Sequence, residues 1–151
     1  MLRMDATDQR IISALVGDAR ASYAEIGKEV ALSAPAVKRR VDRLLELGVL
    51  RGFTAVVNPE AIGRGTEAFI EVHCRGNITP ARIRGALEPF PEVVAAYTVT
   101  GSADAIVHLR AASMHHLENV LEQVRALEIV DTTVSTVVLS TLLERPPMPE
   151  R

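Results

Sequence analysis

The spacing of the apolar residues changes once along this chain, and that change divides it. Ahead of residue 58 they recur every three to four positions, whereas from residue 67 they first recur every second position. The first period belongs to one face of a helix and the second to one face of a strand. A helical module followed by a sheet-containing module is therefore expected. Between them "NPEAIGRGTE", with one Pro and two Gly, reads as a connection. The predicted boundaries are a first domain over 1–57, a linker over 58–66, a second domain over 67–144 and a tail, "RPPMPER", over 145–151.

In the front module "DATDQRIISALVGD" predicts a first helix, with Ile11, Ile12, Leu15 and Val16 on one stripe. Asp5 and Asp8 suit its N-terminal end, and Gly17 its stop. "SYAEIGKEV" predicts a second helix opened by Ser22 and Glu25 at capping-box spacing. Only Ala31, Leu32 and Ser33 separate it from a third, in which Ser33 is the N-cap and Pro35 stands in the first turn. Val37, Val41, Leu44 and Leu45 form the inward face of that helix. Arg39 and Arg43 fall opposite, flanked by Lys38 and Arg40. Three short helices with a tight final turn match a helix-turn-helix. "GVLRGFTAVVNP" follows, with Val49–Arg51 and Phe53–Val57 expected as the strands of a wing-like hairpin.

The basic third helix has two readings. Charged helix faces are commonly just solvated, and Arg39 with Arg43 is a like-charge pair that costs a few tenths of a kcal/mol. Alternatively the cations meet phosphates and base edges in a DNA major groove. The three-helix context favours the second. Ser33, Ala34, Pro35 and Ala36 would then enter the groove, Arg39 or Arg43 would reach a guanine, and Lys38 and Arg40 would meet phosphates.

The rear module predicts a strand at "AFIEVHCR", a helix at "TPARIRGALEPF" capped by Thr79, strands at "VVAAYTVT" and "AIVHLRA" joined by the turn "GSAD", and a helix at "SMHHLENVLEQVRAL". In that helix Met114, Leu117, Leu121 and Val124 share a face. The long β-branched run "VDTTVSTVVLSTL" ends the module as a strand. The order β-α-β-β-α-β is that of the ferredoxin-like split βαβ unit, so the fold class is α+β. Both helices would cover one sheet face. The other, with Phe69 and Ile106, would require a partner sheet, most economically a second copy.

Composition narrows the function classes. The net charge of −2 hides an asymmetry, about +2 over residues 1–51 and −4 over 52–151, which suggests modules with different partners. No apolar run is long enough to cross a bilayer. The N-terminus lacks the apolar core of a signal peptide. A single cysteine, Cys74, excludes an internal disulfide and fits a reducing cytoplasm. His73-Cys74 and His115-His116 are adjacent pairs whose side chains diverge, so no metal site and no cofactor are expected. Neither a phosphate-binding glycine loop nor a nucleophile elbow is present. "TGSAD" is composed like an ordinary hairpin turn, although Gly101 also permits close approach of a ligand to backbone N–H groups.

Taken in order, these segments resemble the Lrp/AsnC, or feast/famine, family of bacterial and archaeal transcription regulators. The resemblance rests on "MDATDQRII", on "AEIGKEVALSAPAVKRRVDRLLELGVLRGFTAVVNPEAIG", on "YTVTGSADAIVHLR" and on "VDTTVSTVVL". It implies a winged helix-turn-helix that binds double-stranded DNA, joined to a ferredoxin-like domain that forms homodimers and commonly octamers. It also implies a small effector, usually an amino acid, and control of amino-acid metabolism genes. Carried over by position, it assigns DNA reading to Ser33, Pro35, Val37, Lys38, Arg39, Arg40 and Arg43. The effector site would involve Gly101 and Asp104 with the intervening Ser102 and Ala103, the preceding Thr100, and Thr133 and Ser135 on the last strand. Ala103 and Ala105 depart from the larger residues common there, which implies a more open pocket or a different effector. Two other classes share the architecture. One is a sirohaem decarboxylase, for which His108 and Arg110 are the suggestive residues. The other is an architectural DNA-binding protein that needs no effector.

Overall fold

β1 (Thr66–Cys74) is an interior strand, paired on both sides, and its burial alternates. Ala68, Ile70 and Val72 are buried, while Phe69 and Glu71 face outward. The computed structural model describes residues 4–143 and divides into a unit ending at residue 55 and a second unit, Val56–Leu142.

The first unit contains α1 (Ala6–Gly17), α2 (Tyr23–Val30) and α3 (Ala34–Glu46). The predicted Ser22–Glu25 capping box forms, and Asp5 with Asp8 makes a second one at α1. Asp5 accepts from the Asp8 N–H and Ser22 from the Glu25 N–H, and each N3 carboxylate returns the bond. Ser33 is the N-cap of α3, but its hydroxyl makes no capping bond. The core joins Ile11, Leu15, Ile26, Val30, Val37 and Val41. Leu44 is also buried, whereas Leu45, expected inside, is 36% exposed. Between α2 and α3 the chain reverses through Ala31 in the left-handed region (φ 57°), and the Leu32 N–H returns to the Gly27 carbonyl at 2.9 Å.

The hairpin expected over 49–57 does not form. Residues 51–58 run without secondary structure, and Phe53, Val56 and Val57 are exposed. Gly52, at φ 139°, interrupts the run, and two short strands with no third to pair with are marginal.

The second unit adds α4 (Pro80–Leu87), β2 (Val93–Thr98), β3 (Ala105–Ala111), α5 (Met114–Arg125) and β4 (Val130–Val137). The sheet is antiparallel in the order β2-β3-β1-β4, as a ferredoxin-like unit requires. Ile70, Val72, Val107 and Leu109 pack with Ile83 and Leu87 of α4 and Leu117, Val120 and Val124 of α5. Met114, expected inside, is exposed, while Val120 is buried beside Leu117 and Val124. The Thr79 side chain makes no capping bond. β4 stops at Val137, short of the expected run, and the predicted tail lies outside the described residues.

The face of the sheet opposite the helices has no cover among the described residues. Phe69 is 40% exposed, Tyr97 60% and Val134 53%. Its polar residues are partly organised. Phe69 stacks on His108 at 4.6 Å between ring centroids, His108 Nε2 bonds Glu67, and Arg110 stands 3.5 Å from the same carboxylate.

Candidate nucleic-acid interface and effector site

The basic residues of α3 divide by partner. Arg40 Nη1 donates to Asp5 Oδ2 at 2.8 Å and to Asp8 Oδ1 at 2.7 Å, and Arg43 Nη2 donates to Asp8 Oδ2 at 2.5 Å. Asp8 is fully buried. The capping box of α1 is therefore also the anchor of α3. The Arg40 guanidinium holds the Asp5 carboxyl below the usual carboxylate range. Lys38 pairs with Asp42 one turn along the helix at 2.6 Å, and that bond raises the lysine's pKa. Arg39 is exposed and makes no hydrogen bond or ion pair among the described residues.

This geometry redistributes the expected roles. Val37 has no exposed surface and belongs to the core, so it is unavailable to DNA. Arg40 and Arg43 are committed first to Asp8. The solvent-facing set is Ser33, Pro35, Lys38, Arg39 and Arg43, the last with its guanidinium on Asp8, and Ala34 and Ala36 are half-buried beside them. The anchoring role of Arg40 and Arg43 was hidden in the sequence, because their partners lie more than thirty positions away.

In the second unit, Thr100, Gly101, Ser102 and Ala103 line an open cavity of about 640 Å³ together with Thr98, Val99, Glu71 and Ile106. Gly101 has φ 134°, a conformation that L side chains rarely adopt. The Asp104 N–H bonds the Val72 carbonyl at 2.9 Å, and Asp104 Oδ2 accepts from the Cys74 N–H at 2.7 Å. His73 Nδ1 lies 3.0 Å from the Ser102 carbonyl, so that nitrogen carries the proton. Asp104 is thus a fastener of the turn and does not line the cavity. Burial, and secondarily the charge of Asp104, push the Cys74 thiol pKa up.

Thr133 and Ser135 are not brought to this cavity. They pair in register with Val72 and Ile70, on the helix-covered face, whereas Glu71 and Ile106 face the other way. Thr133 Oγ1 accepts from Arg125 Nε at 3.0 Å, and the Ser135 hydroxyl is buried without a partner. Across the sheet, β1 and β3 intervene between β4 and the turn. A second cavity, of about 420 Å³, lies between α4 and β2 and is lined mainly by apolar residues including Ile83, Leu87, Phe90 and Val93. It holds no predicted site residue.

His108 Nε2 bonds Glu67, and Arg110 stands 3.5 Å from the same carboxylate with its Nε unpartnered among the described residues. Among the described residues, no three His, Cys, Asp or Glu side chains converge as a metal site, and no helix is long and apolar enough to cross a membrane.

Residues 4–45 match the AsnC-type helix-turn-helix domain, and residues 67–148 match the Lrp/AsnC ligand binding domain. The chain is 54% identical over 147 residues to the HTH-type transcriptional regulator Rv2324 of Mycobacterium tuberculosis, covering 97% of this chain and 99% of that one. It is 34% identical to the HTH-type transcriptional regulator FL11 of Pyrococcus furiosus, covering 97% and 96%. Among solved structures, it is similar to the M. tuberculosis feast or famine regulatory protein complexed with L-methionine, with a TM-score of 0.90, 32% identity and coverage of 98% and 100%. It is also similar to the Neisseria meningitidis regulator NMB0573 in its L-Met complex, with a TM-score of 0.87, 27% identity and 97% coverage of each chain. With a helix-turn-helix DNA-binding domain in front of a ligand-binding domain, the chain belongs to the Lrp/AsnC family of transcriptional regulators.

Proposed function

We propose that this regulator reads double-stranded DNA through the N-terminal end and outer face of α3, responds to an amino acid held at the 99–104 turn, and controls genes of amino-acid metabolism. The observation that carries the DNA reading is the exposed set Ser33, Pro35, Lys38 and Arg39, in which Arg39 has no internal partner among the described residues. An unpaired guanidinium can donate bidentately to a guanine edge or bind a phosphate. The effector reading is supported by the cavity at Gly101 and by the L-methionine bound in two structural relatives. Thr100, Gly101, Ser102 and Ala103 border the ligand, Asp104 holds the turn, and Thr133 and Ser135 take no direct part.

The working unit is a homodimer in the cytoplasm, closed by isologous contact of the two uncovered sheet faces, and family resemblance extends it to an octamer. The exposed Phe69, Tyr97 and Val134 support that contact. Two-fold symmetry then calls for a pseudo-palindromic site with half-sites about one helical turn, or a multiple of it, apart. We assign the protein no catalytic role.

The test is fluorescence anisotropy with DNA from upstream of the protein's own gene, over a salt series, with and without a mixture of the twenty amino acids. Tight, salt-dependent binding that shifts with the mixture is expected. Specific binding with no shift refutes the amino-acid effector. Binding no tighter than to random DNA refutes autoregulation.

A further inference from the structure

Charge changes sign along the outer face of α3. Pro35, Arg39, Asp42 and Glu46 follow one another at helical spacing and form one stripe, opposite the buried Val37, Val41 and Leu44. The N-terminal half of the stripe carries Arg39, flanked by Lys38. The C-terminal half carries two carboxylates. The cation nearest to them, Arg43, has its guanidinium on Asp8. Asp42 holds Lys38 at 2.6 Å. Glu46 is exposed, ends the helix, and makes no hydrogen bond or ion pair among the described residues.

These acids do little for the helix itself. They stand toward its C-terminal end, where the macrodipole disfavours negative charge, and at i,i+4 they repel each other. The Lys38–Asp42 pair is solvent-exposed on both sides, a setting in which ion pairs stabilise weakly.

Against DNA the same stripe has a direction. Phosphates attract Arg39 and repel Asp42 and Glu46. The N-terminal half of α3 is thus drawn to the duplex while the C-terminal half is held off. A specific site is met in one such pose. Random sequence is met in many, and every pose that brings the C-terminal half to a phosphate is penalised. Like-charge juxtaposition of this kind fixes register and suppresses wrong encounters.

We infer that Asp42 and Glu46 are specificity determinants, which orient α3 on DNA and weaken its binding to random sequence more than to its own site. The inference rests on reading α3 as the DNA-facing helix.

The test compares the full chain with Asp42→Asn/Glu46→Gln on two duplexes, one of random sequence and one selected by the wild type from a random pool. Anisotropy over a salt series gives both affinities. Glu122→Gln/Glu128→Gln, which removes the same charge from exposed positions of the second unit, is the control. Affinity for the random duplex is expected to rise about tenfold, with a salt slope steeper by about one as Lys38 is freed, and affinity for the selected duplex about threefold at most. The control is expected to leave the ratio of the two affinities unchanged. Equal gain on both duplexes, or none on either, overturns the inference and leaves the DNA reading in place. Weaker binding to the selected duplex makes the acids direct base contacts and also overturns it. So does a control that reproduces the fall in the ratio, because net charge alone then accounts for it. Arg39→Ala is run alongside. If it binds the selected duplex as the wild type does, or if the wild type selects no duplex over random sequence, the reading of α3 fails and the inference with it.

Discussion

Arg40 Nη1 lies 2.7 Å from Oδ1 of Asp8, a carboxylate with no solvent exposure, and so ties the middle of α3 to the first turn of α1. The same carboxylate accepts from Arg43 and from the Asp5 N–H. One side chain thus completes a helix cap and sets the position of α3.

Replacing it is therefore expected to be costly. Asp8→Ala strips Arg43 of its partner, leaves Arg40 with Asp5 alone and removes half of the capping box. Breaking a buried ion pair from one side costs about 3–5 kcal/mol, and the partial exposure of both arginines points to the lower end. Urea unfolding of the variant measures the loss. A change below about 1 kcal/mol would show that water replaces the pair at little cost.

Arg39 and Arg43 are expected to separate experimentally. Arg39→Ala should weaken DNA binding and reduce the salt slope by about one, with stability unchanged within about 0.5 kcal/mol. Arg43→Ala should lower stability as well, because it deprives Asp8 of a donor. Anisotropy titrations paired with urea curves distinguish the two. Identical behaviour of the variants would refute the division of roles along α3.

Acid should weaken the helical unit. The Asp5 carboxyl is held low chiefly by its bond to Arg40, and that of Glu25 by its bonds to Ser22. Unfolded, these carboxyls titrate near their ordinary values of about 4. As pH falls through that range the unfolded state takes up protons first, so stability is present above it and is lost toward the depressed folded values. The urea midpoint of the helical unit is expected to fall between about pH 5 and pH 3. In Asp5→Asn that slope should be shallower, and an unchanged slope would place the acid sensitivity elsewhere.

Gly27 and Gly85 are both helical glycines, with opposite expectations. A Cβ on Gly27 would lie 2.4 Å from the Leu32 carbonyl oxygen, at the tight turn into α3. Since backbone must move, Gly27→Ala is expected to cost about 1–3 kcal/mol and to lower DNA affinity. A Cβ on Gly85, inside α4, meets nothing within 4 Å, so Gly85→Ala is expected to gain about 0.5–1 kcal/mol. Thermal unfolding of the two variants, read as opposite shifts, checks the contrast.

Much of this architecture was legible because it is local. The Ser22–Glu25 cap, the three-residue turn before α3 and the period of two in β1 are all written within a few positions. What escaped the sequence is long-range. Nothing near Arg40 announces Asp8, thirty-two residues away, so the arginine looks like surface charge. Val37 appears both in the core stripe and in the DNA-reading segment, and only its burial decides between them. Thr133 and Gly101 stand apart within one chain for a related reason. Strand parity gives the face of a residue only once register is known, and the register puts Thr133 beside Val72 under the helices. Glu71 carried no signal at all, being one polar residue in an alternating strand. The expected hairpin after α3 failed because β propensity does not supply a partner strand.

The turn at 101–104 has little freedom of its own. The Asp104 N–H holds the Val72 carbonyl, its carboxylate holds the Cys74 N–H, and the His73 ring holds the Ser102 carbonyl, so three fasteners join the turn to the last residues of β1. At those same residues, between His73 and Cys74, the ladder from β1 to β4 shifts its register. A bulge is the place where a ladder bends most readily. The turn and the irregular step of the ladder thus share one attachment, so any change of register at His73–Cys74 would carry the turn with it.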